Sequence, residues 1–128
     1  MTQPPRPLPG AILWRDLTVP DADAVRAFYE GVVGWTSSPV DMGGYSDFGM
    51  VAPGSGEVVA GICHARGPNV GLPAQWLLYI CVEDVDASAA RCVALGGEVI
   101  HGPRAVGGGR FCVVRDPAGA VAGLYQTL

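Results

Sequence analysis

The apolar and polar positions of the chain follow the same order twice. Each half opens with a mainly apolar strand, predicted at Ile12–Val19 and at Trp76–Val82. A helix is predicted next, because apolar residues recur every three or four positions after Asp21 and again after Asp84. Both aspartates stand where a helix N-cap is expected, and glycine ends both helical patterns.

Three further short strands complete each half, separated by segments rich in turn-forming residues. They are predicted at 35–38, 45–51 and 58–63 in the first half and at 98–101, 110–115 and 120–126 in the second. The expected fold class is α+β, with two βαβββ modules whose helices cover the outer faces. The uncovered faces are expected to form facing curved mixed sheets around an open cleft, where small ligands bind.

Sequence identities between the halves indicate a duplication. Val19–Ala24 aligns with Val82–Ala87 at a shift of 63 positions, and the same shift places Phe48 on Phe111. The last strands of the two halves align at a shift of 62. Identities at both ends of the unit predict that the halves share one backbone plan.

The duplication also predicts the domain organisation. A single domain is expected over residues 11–128, with one module at about 11–65 and the other at about 74–128. Four prolines among the first nine residues favour a short extended tail over residues 1–10.

Composition excludes several classes of partner. The chain has 128 residues with 8 basic residues, all arginine, against 12 acidic ones. This acidic balance argues against a nucleic-acid partner, and no apolar run approaches the roughly 20 residues of a membrane span. The four cysteines are widely spaced, so we expect reduced thiols in a cytoplasmic protein rather than a disulfide or zinc framework.

Two groups of residues resemble the vicinal oxygen chelate superfamily, which includes glyoxalase I, extradiol dioxygenases and bleomycin-resistance proteins. The resemblance covers the chain from about Ala11 onward. The residues that carry it are Trp14–Asp21, Phe28-Tyr29 and Gly34-Trp35 near the start, and Gly102-Pro103, Gly109-Arg110, Asp116–Ala120 and Leu124–Gln126 near the end.

The resemblance implies a divalent metal held by His, Gln or Glu on the first and last strands of each unit. At those positions this chain has Trp14, Leu77, Gly61 and Gly123, none of which offers a metal ligand. We therefore expect no metal and no other cofactor. The sequence is more similar to a metal-lacking actinobacterial branch of glyoxalase-like proteins.

Strand alternation predicts which residues line the cleft. Aromatic and hydroxyl groups are expected where the superfamily holds its metal, and the two glycines are expected to leave room at the floor. The predicted ligand-binding residues are Trp14, Thr18, Tyr45, Asp47, Gly61, Trp76, Tyr79, Arg110, Gly123 and Tyr125.

Asp16 is the candidate catalytic residue. A carboxylate in an aromatic, low-dielectric cleft can move protons. Alternatively Asp16 is structural and pairs with an arginine, for which Arg110 is the candidate. His64 and His101 are expected at strand ends as exposed polar residues, with a proton-shuttle role as the alternative. Trp76, instead of binding ligand, is alternatively a plug at the start of its strand.

These patterns predict a metal-independent protein that binds a planar, natural-product-like molecule. It would sequester the molecule or carry out proton transfer on it. The alternative is a metal-dependent lyase, isomerase or dioxygenase with atypical ligands such as Asp16, His64 or Asp47. A third alternative is an interaction module whose cleft face is covered by a partner. A homodimer is expected, because units of this kind often complete their clefts between chains.

Overall fold

The computed structural model of the protein describes residues 8–127, which contain eight strands and two α-helices. The α+β fold class and the duplicated βαβββ order are confirmed. The elements are β1 (Ile12–Val19), α1 (Ala22–Val33), β2 (Thr36–Asp41), β3 (Ser46–Val51), β4 (Val58–His64), a 3-10 turn (Gly67–Asn69), β5 (Trp76–Cys81), α2 (Val85–Ala94), β6 (Glu98–Val106), β7 (Gly109–Arg115) and β8 (Val121–Thr127).

The described chain divides into two compact units. The N-terminal module is Trp14–Trp76, and the C-terminal module contains the residues from Leu77 onward together with those up to Leu13. Gly10 and Ala11 belong with the second unit because they form backbone hydrogen bonds to Cys81 (2.7 and 2.8 Å). Residues 1–7 of the predicted tail lie outside the described residues.

Each module has the same strand order. In the N-terminal module it is β2-β3-β4-β1, and in the C-terminal module it is β6-β7-β8-β5. The first and last strands of each module pair in parallel, and the other pairs are antiparallel. Asp16 is opposite Gly61 in one module, and Tyr79 is opposite Gly123 in the other. The two modules therefore share their central register.

The register corrects one part of the sequence alignment. Phe48 is opposite Ile62 in the N-terminal module, whereas Cys112 is opposite Leu124 in the C-terminal module. Since the last strands correspond at a shift of 62, Phe48 corresponds to Cys112 and not to Phe111. The segment from the helix to the third strand is therefore one residue longer in the second module. Aligning Phe48 with Phe111 because both are phenylalanine hides this extra residue.

Both predicted N-caps are confirmed. The side chain of Asp21 accepts a hydrogen bond from the Ala24 N–H, and the side chain of Asp84 accepts one from the Ala87 N–H, each at 3.1 Å. Gly34 ends α1 in the left-handed conformation at φ +85°, which glycine adopts without steric cost.

The helix-facing core is smaller than the apolar stripes predict. It is built around the first two turns of each helix, with Ala22 in α1 and Val85 and Ala89 in α2. The last members of the two stripes, Val32 and Leu95, are exposed. Val32 and Leu95 lie after these first two turns and do not belong to either core cluster.

The face of the C-terminal sheet away from α2 is also buried. Its buried members are Leu77, Tyr79, Cys81, Phe111 and Val113. In contrast Leu78, which strand alternation directs towards the helix, is 47% exposed. The helix packs on β6, β7 and β8, so it leaves that side of β5 uncovered. Among residues 8–127, no helix is long and apolar enough to cross a bilayer.

Candidate functional site

Three side chains surround Gly61 on the face of the N-terminal sheet away from α1. A methyl group at Gly61 would lie 3.3 Å from Cβ of Asp16, 3.3 Å from the Trp14 indole and 3.8 Å from the Cys63 sulfur. Thr18 continues this face along β1 and is buried. A carboxylate, an indole and a thiol are thus grouped over one glycine, which lets them approach the backbone closely.

Cys63 is held as a neutral thiol at this position. Burial is the largest cause that raises its pKa to about 12, followed by the negative charges of Asp16 and Asp47 and by a hydrogen bond to Asp47. A thiol with this pKa is a poor nucleophile at neutral pH. Its role in the cluster is therefore that of a hydrogen-bond donor.

Asp47 connects this face to His64. Its Oδ1 accepts hydrogen bonds from the His64 backbone N–H at 2.8 Å, and it lies 3.1 Å from the His64 Nδ1. The other ring nitrogen, Nε2, lies 3.3 Å from Oδ2 of Asp23 on α1. The side chains of His64 and Asp47 are 9% and 8% exposed, whereas that of Asp23 is 66% exposed.

The expectation for His64 was therefore wrong in one respect. His64 is the last residue of β4, as a strand-end residue should be, but it is buried. The hairpin between β3 and β4 brings Asp47 beside it, and that carboxylate supplies the acceptor that makes burial tolerable. The two residues are 17 positions apart and the pairing register of β3 with β4 decides the contact, so the sequence pattern did not indicate this pair.

Tyr45 lies just before β3 rather than within it. Its ring contacts the edge of the His64 ring, with centroids 5.4 Å apart, and the Arg66 guanidinium lies 4.0 Å from its centroid. Tyr45 therefore packs beside the imidazole.

Aromatic rings occupy the equivalent face of the C-terminal module. Any Cβ at Gly123 would overlap the ring of Tyr79, which is buried. The expected space above Gly123 is therefore filled, because the ring lies directly on the glycine. Tyr125 covers Gly109 in a similar way, with its hydroxyl 2.7 Å from where a Cβ would stand.

A neutral histidine and an arginine lie on Phe111 in the same module. The Nε2 of His101 accepts a hydrogen bond from the Arg104 Nε at 2.8 Å, and the Arg104 guanidinium lies 4.4 Å from the Phe111 centroid. Burial, and then the charge of Arg104, lowers the pKa of His101. His101 is half-buried within β6, so the expectation of an exposed strand-end residue was wrong, since β6 extends to Val106.

Two of the predicted ligand-binding residues lie elsewhere in their modules. The Trp76 indole N–H donates to the Tyr29 hydroxyl at 3.0 Å and packs on the α1 side, with Trp35 5.9 Å away. Arg110 forms two hydrogen bonds, both 3.0 Å, to the carboxylate of Asp86 on α2. The carboxylate partner found for Arg110 is thus Asp86 and not Asp16.

Residues 11–122 match the family model of the glyoxalase/bleomycin resistance protein/dioxygenase superfamily. The chain belongs to this superfamily. Superfamily relatives include CFP32 of Mycobacterium tuberculosis, whose name assigns it provisionally to the glyoxylases. It is 38% identical over 113 residues, covering 88% of this chain and 42% of the relative.

A second relative is the anthracycline biosynthesis protein DnrV of Streptomyces peucetius, which is 37% identical over 134 residues. The match covers 92% of this chain and 47% of the relative. The chain thus spans less than half the length of either curated relative.

Solved structures support the superfamily fold. Streptomyces coelicolor methylmalonyl-CoA epimerase matches with a TM-score of 0.52 and 17% identity, covering 94% of this chain and 99% of the other. A hypothetical protein from Bacillus halodurans matches with a TM-score of 0.56 and 14% identity, covering 93% and 95%. At these identities the likeness concerns the fold alone.

The residues at the superfamily's metal-binding positions do not fit a divalent ion. Trp14, Leu77, Gly61 and Gly123 bring no oxygen, sulfur or imidazole ligand. Atoms of Trp14, Asp16 and Cys63 lie next to Gly61, and the Tyr79 ring lies directly on Gly123. Within residues 8–127, no group of three or more His, Cys, Asp or Glu side chains is arranged to hold a metal.

Proposed function

We propose that this chain is a metal-independent small-molecule-binding domain that takes a planar, natural-product-like ligand. It sequesters this ligand or carries out proton transfer on it. The observation that carries the proposal is that aromatic rings lie over the two glycines at metal-ligand positions, Trp14 over Gly61 and Tyr79 over Gly123. Similarity to an anthracycline biosynthesis protein over 92% of the chain supports a ligand from this chemical class.

The proposed ligand contacts are stacking contacts. Trp14 is half-buried, so part of its indole is accessible beside Asp16. Aromatic side chains favour flat, apolar ligands because they combine a large apolar area with offset stacking. Thr18 and Asp47 would add polar contacts on the same sheet face, and Tyr45 would add its hydroxyl at the edge of that face.

In the proton-transfer form of the proposal, Asp16 is the base. It lies beside the accessible indole and next to a thiol that stays protonated. A ligand stacked on Trp14 would present its acidic C–H or O–H group to this carboxylate. Replacing Asp16 with Asn is expected to abolish turnover and to leave the ligand Kd nearly unchanged. Unchanged turnover in this variant would show that Asp16 is not the base.

Binding is tested by titration with an anthraquinone while tryptophan fluorescence is followed. Trp14→Leu is expected to weaken binding about tenfold, the loss of one stacking contact of about 1.4 kcal/mol. Trp76→Phe is the matched control, because Trp76 packs on Tyr29 and keeps an aromatic ring in the variant. Equal affinity in wild type and Trp14→Leu would contradict the proposed site.

Metal independence is tested on the purified protein by elemental analysis. We expect binding and any turnover to survive dialysis against a chelator. A stoichiometric divalent ion whose removal abolishes binding would favour the metal-dependent lyase, isomerase or dioxygenase instead.

We also propose that the chain acts as a cytoplasmic homodimer. The curated relatives are more than twice as long as the matched segment, so two copies of this chain would equal one relative in length. The four free cysteines fit a reducing compartment. Light scattering at micromolar concentration is expected to give twice the mass of one 13.2 kDa chain, and a monomer would contradict the dimer.

A further inference from the structure

His64 lies between two carboxylates that differ in solvent contact. Asp47 is buried on one side of the ring, and Asp23 is exposed on the other. The Nδ1–Oδ1 and Nε2–Oδ2 distances are 3.1 and 3.3 Å. The imidazole is thus placed between the inner carboxylate and a carboxylate in contact with solvent.

Each ring nitrogen of His64 faces a carboxylate oxygen, Nδ1 that of Asp47 and Nε2 that of Asp23. An imidazole can accept a proton at one nitrogen while it releases a proton from the other. The neighbouring Tyr45 meets the ring by its edge, and Arg66 lies over Tyr45 rather than against the imidazole.

The C-terminal module has a different link at this place, one without a histidine. Asp86 corresponds to Asp23, and its carboxylate binds the permanently charged guanidinium of Arg110. Gln126 corresponds to His64, and its side-chain oxygen accepts from the Val85 N–H at 2.7 Å. The N-terminal module thus has an exchangeable proton carrier where its duplicate has an arginine link and a neutral amide.

We infer that Asp47, His64 and Asp23 form a proton relay between the Asp16–Cys63 face of the N-terminal module and solvent. The inference rests on the proposed function, because that face is the proposed binding face. Asp47 reaches it through its hydrogen bond with the Cys63 thiol. His64 is here a positioning and relay residue that does not touch the ligand.

The relay moves protons without other bond changes. A proton on Asp47 passes to Nδ1 while Nε2 releases its own proton to Oδ2 of Asp23, which gives it to water. The O–H bond of Asp47 and the Nε2–H bond break, and the Nδ1–H bond and the O–H bond of Asp23 form. Asp23 then gives its proton to water. Returning the proton to the inner face follows the same steps in reverse.

The relay is tested by NMR of the ring nitrogens of 15N-labelled full chain at pH 7, without ligand. The chain has only two histidines, so His101, whose lowered pKa keeps it neutral, is the internal reference. The ring proton of His64 is expected to exchange quickly with water, measured by saturation transfer.

Asp23→Asn removes the outer carboxylate, and Asp86→Asn is the matched control in the other module. Asp23→Asn is expected to slow exchange of the His64 ring proton with water by on the order of a hundredfold, the effect of a positioned acid or base. Asp86→Asn should leave His64 unchanged, and Asp23→Glu should restore fast exchange. Circular dichroism would check that all variants fold, which the exposure of Asp23 favours.

Two results would overturn the relay. One is a His64 ring proton that exchanges with water no faster than the ring proton of His101 in the wild type. The other is an exchange rate in Asp23→Asn that equals that in Asp86→Asn, which would leave the cluster a static contact. Neither measurement uses a ligand, so failure of the anthraquinone titration alone would count against the proposed function and not against the relay.

Discussion

The N-terminal and C-terminal modules have the same backbone plan but different chemistry on the sheet face away from the helix. The N-terminal face carries Asp16, Asp47 and Cys63. The corresponding residues in the C-terminal module are Tyr79, Phe111 and Tyr125, by the paired registers of the strands. One duplicated surface is therefore acidic and the other aromatic.

The location of buried polar residues follows the same division. Within residues 8–127, the buried polar or charged residues are Thr18, Asp47 and His64, all in the N-terminal module. The C-terminal face instead buries Leu77, Phe111 and Val113. Apolar packing is enough to stabilise this fold, so a buried carboxylate and imidazole are not required by the architecture. This difference favours a functional role for the N-terminal cluster.

The largest predicted effect is a difference in unfolding free energy between variants of the charged clusters in the two modules. Asp47→Ala removes the acceptor of the His64 N–H and ring and is expected to lower the free energy of unfolding by about 3–5 kcal/mol, as for breaking a buried pair. Asp86→Ala breaks the exposed pair with Arg110 and should cost about 1 kcal/mol or less. Urea unfolding of both variants gives the comparison, and equal losses would contradict it.

The second prediction compares the two central glycines. Gly123→Ala forces a methyl group into the buried Tyr79 ring and is expected to lower the free energy of unfolding by about 1–3 kcal/mol. At Gly61 the nearest atoms are 3.3 Å away, so Gly61→Ala should cost under about 1 kcal/mol. Urea unfolding measures both.

The order of these two costs is the informative result. Tyr79→Leu should reduce the cost of Gly123→Ala, because the smaller side chain leaves room for the methyl group. An equal or larger loss for Gly61→Ala would show that the two glycine sites pack alike.

The third prediction concerns alkaline pH. The pKa of Cys63 is raised from 9.0 to about 12, and that of Cys112 from 9.0 to about 11, burial being the first cause for both. The unfolded chain loses these thiol protons above pH 9 while the folded chain keeps them. The free energy of unfolding should therefore fall as pH rises from 9 towards 11.

Alanine variants separate the two thiols. Cys63→Ala should flatten the dependence of unfolding free energy on pH up to about 12, and Cys112→Ala only up to about 11. Urea unfolding at pH 8, 9, 10, 11 and 12 provides the curves. A stability that does not change over this range would show that the thiols are not held neutral by the fold.

Sequence reasoning recovered most of the fold because its signals are local. Ile12–Val19 was predicted with its exact bounds, and Asp21 and Asp84 cap their helices as expected. Alternation also placed Trp14, Asp16 and Cys63 on one face of the sheet. Each of these predictions depends on residues within a few positions, or on the two-residue period of a strand.

What the sequence alone determined is therefore the duplicated βαβββ plan and the helix starts. Only the tertiary structure decided that His64 is buried between Asp47 and Asp23, that Tyr79 fills the space over Gly123, and that Arg110 binds Asp86. These contacts join residues 17 to 44 positions apart. A single-residue change in strand register moves a side chain to the opposite face, so such contacts cannot be read from spacing alone.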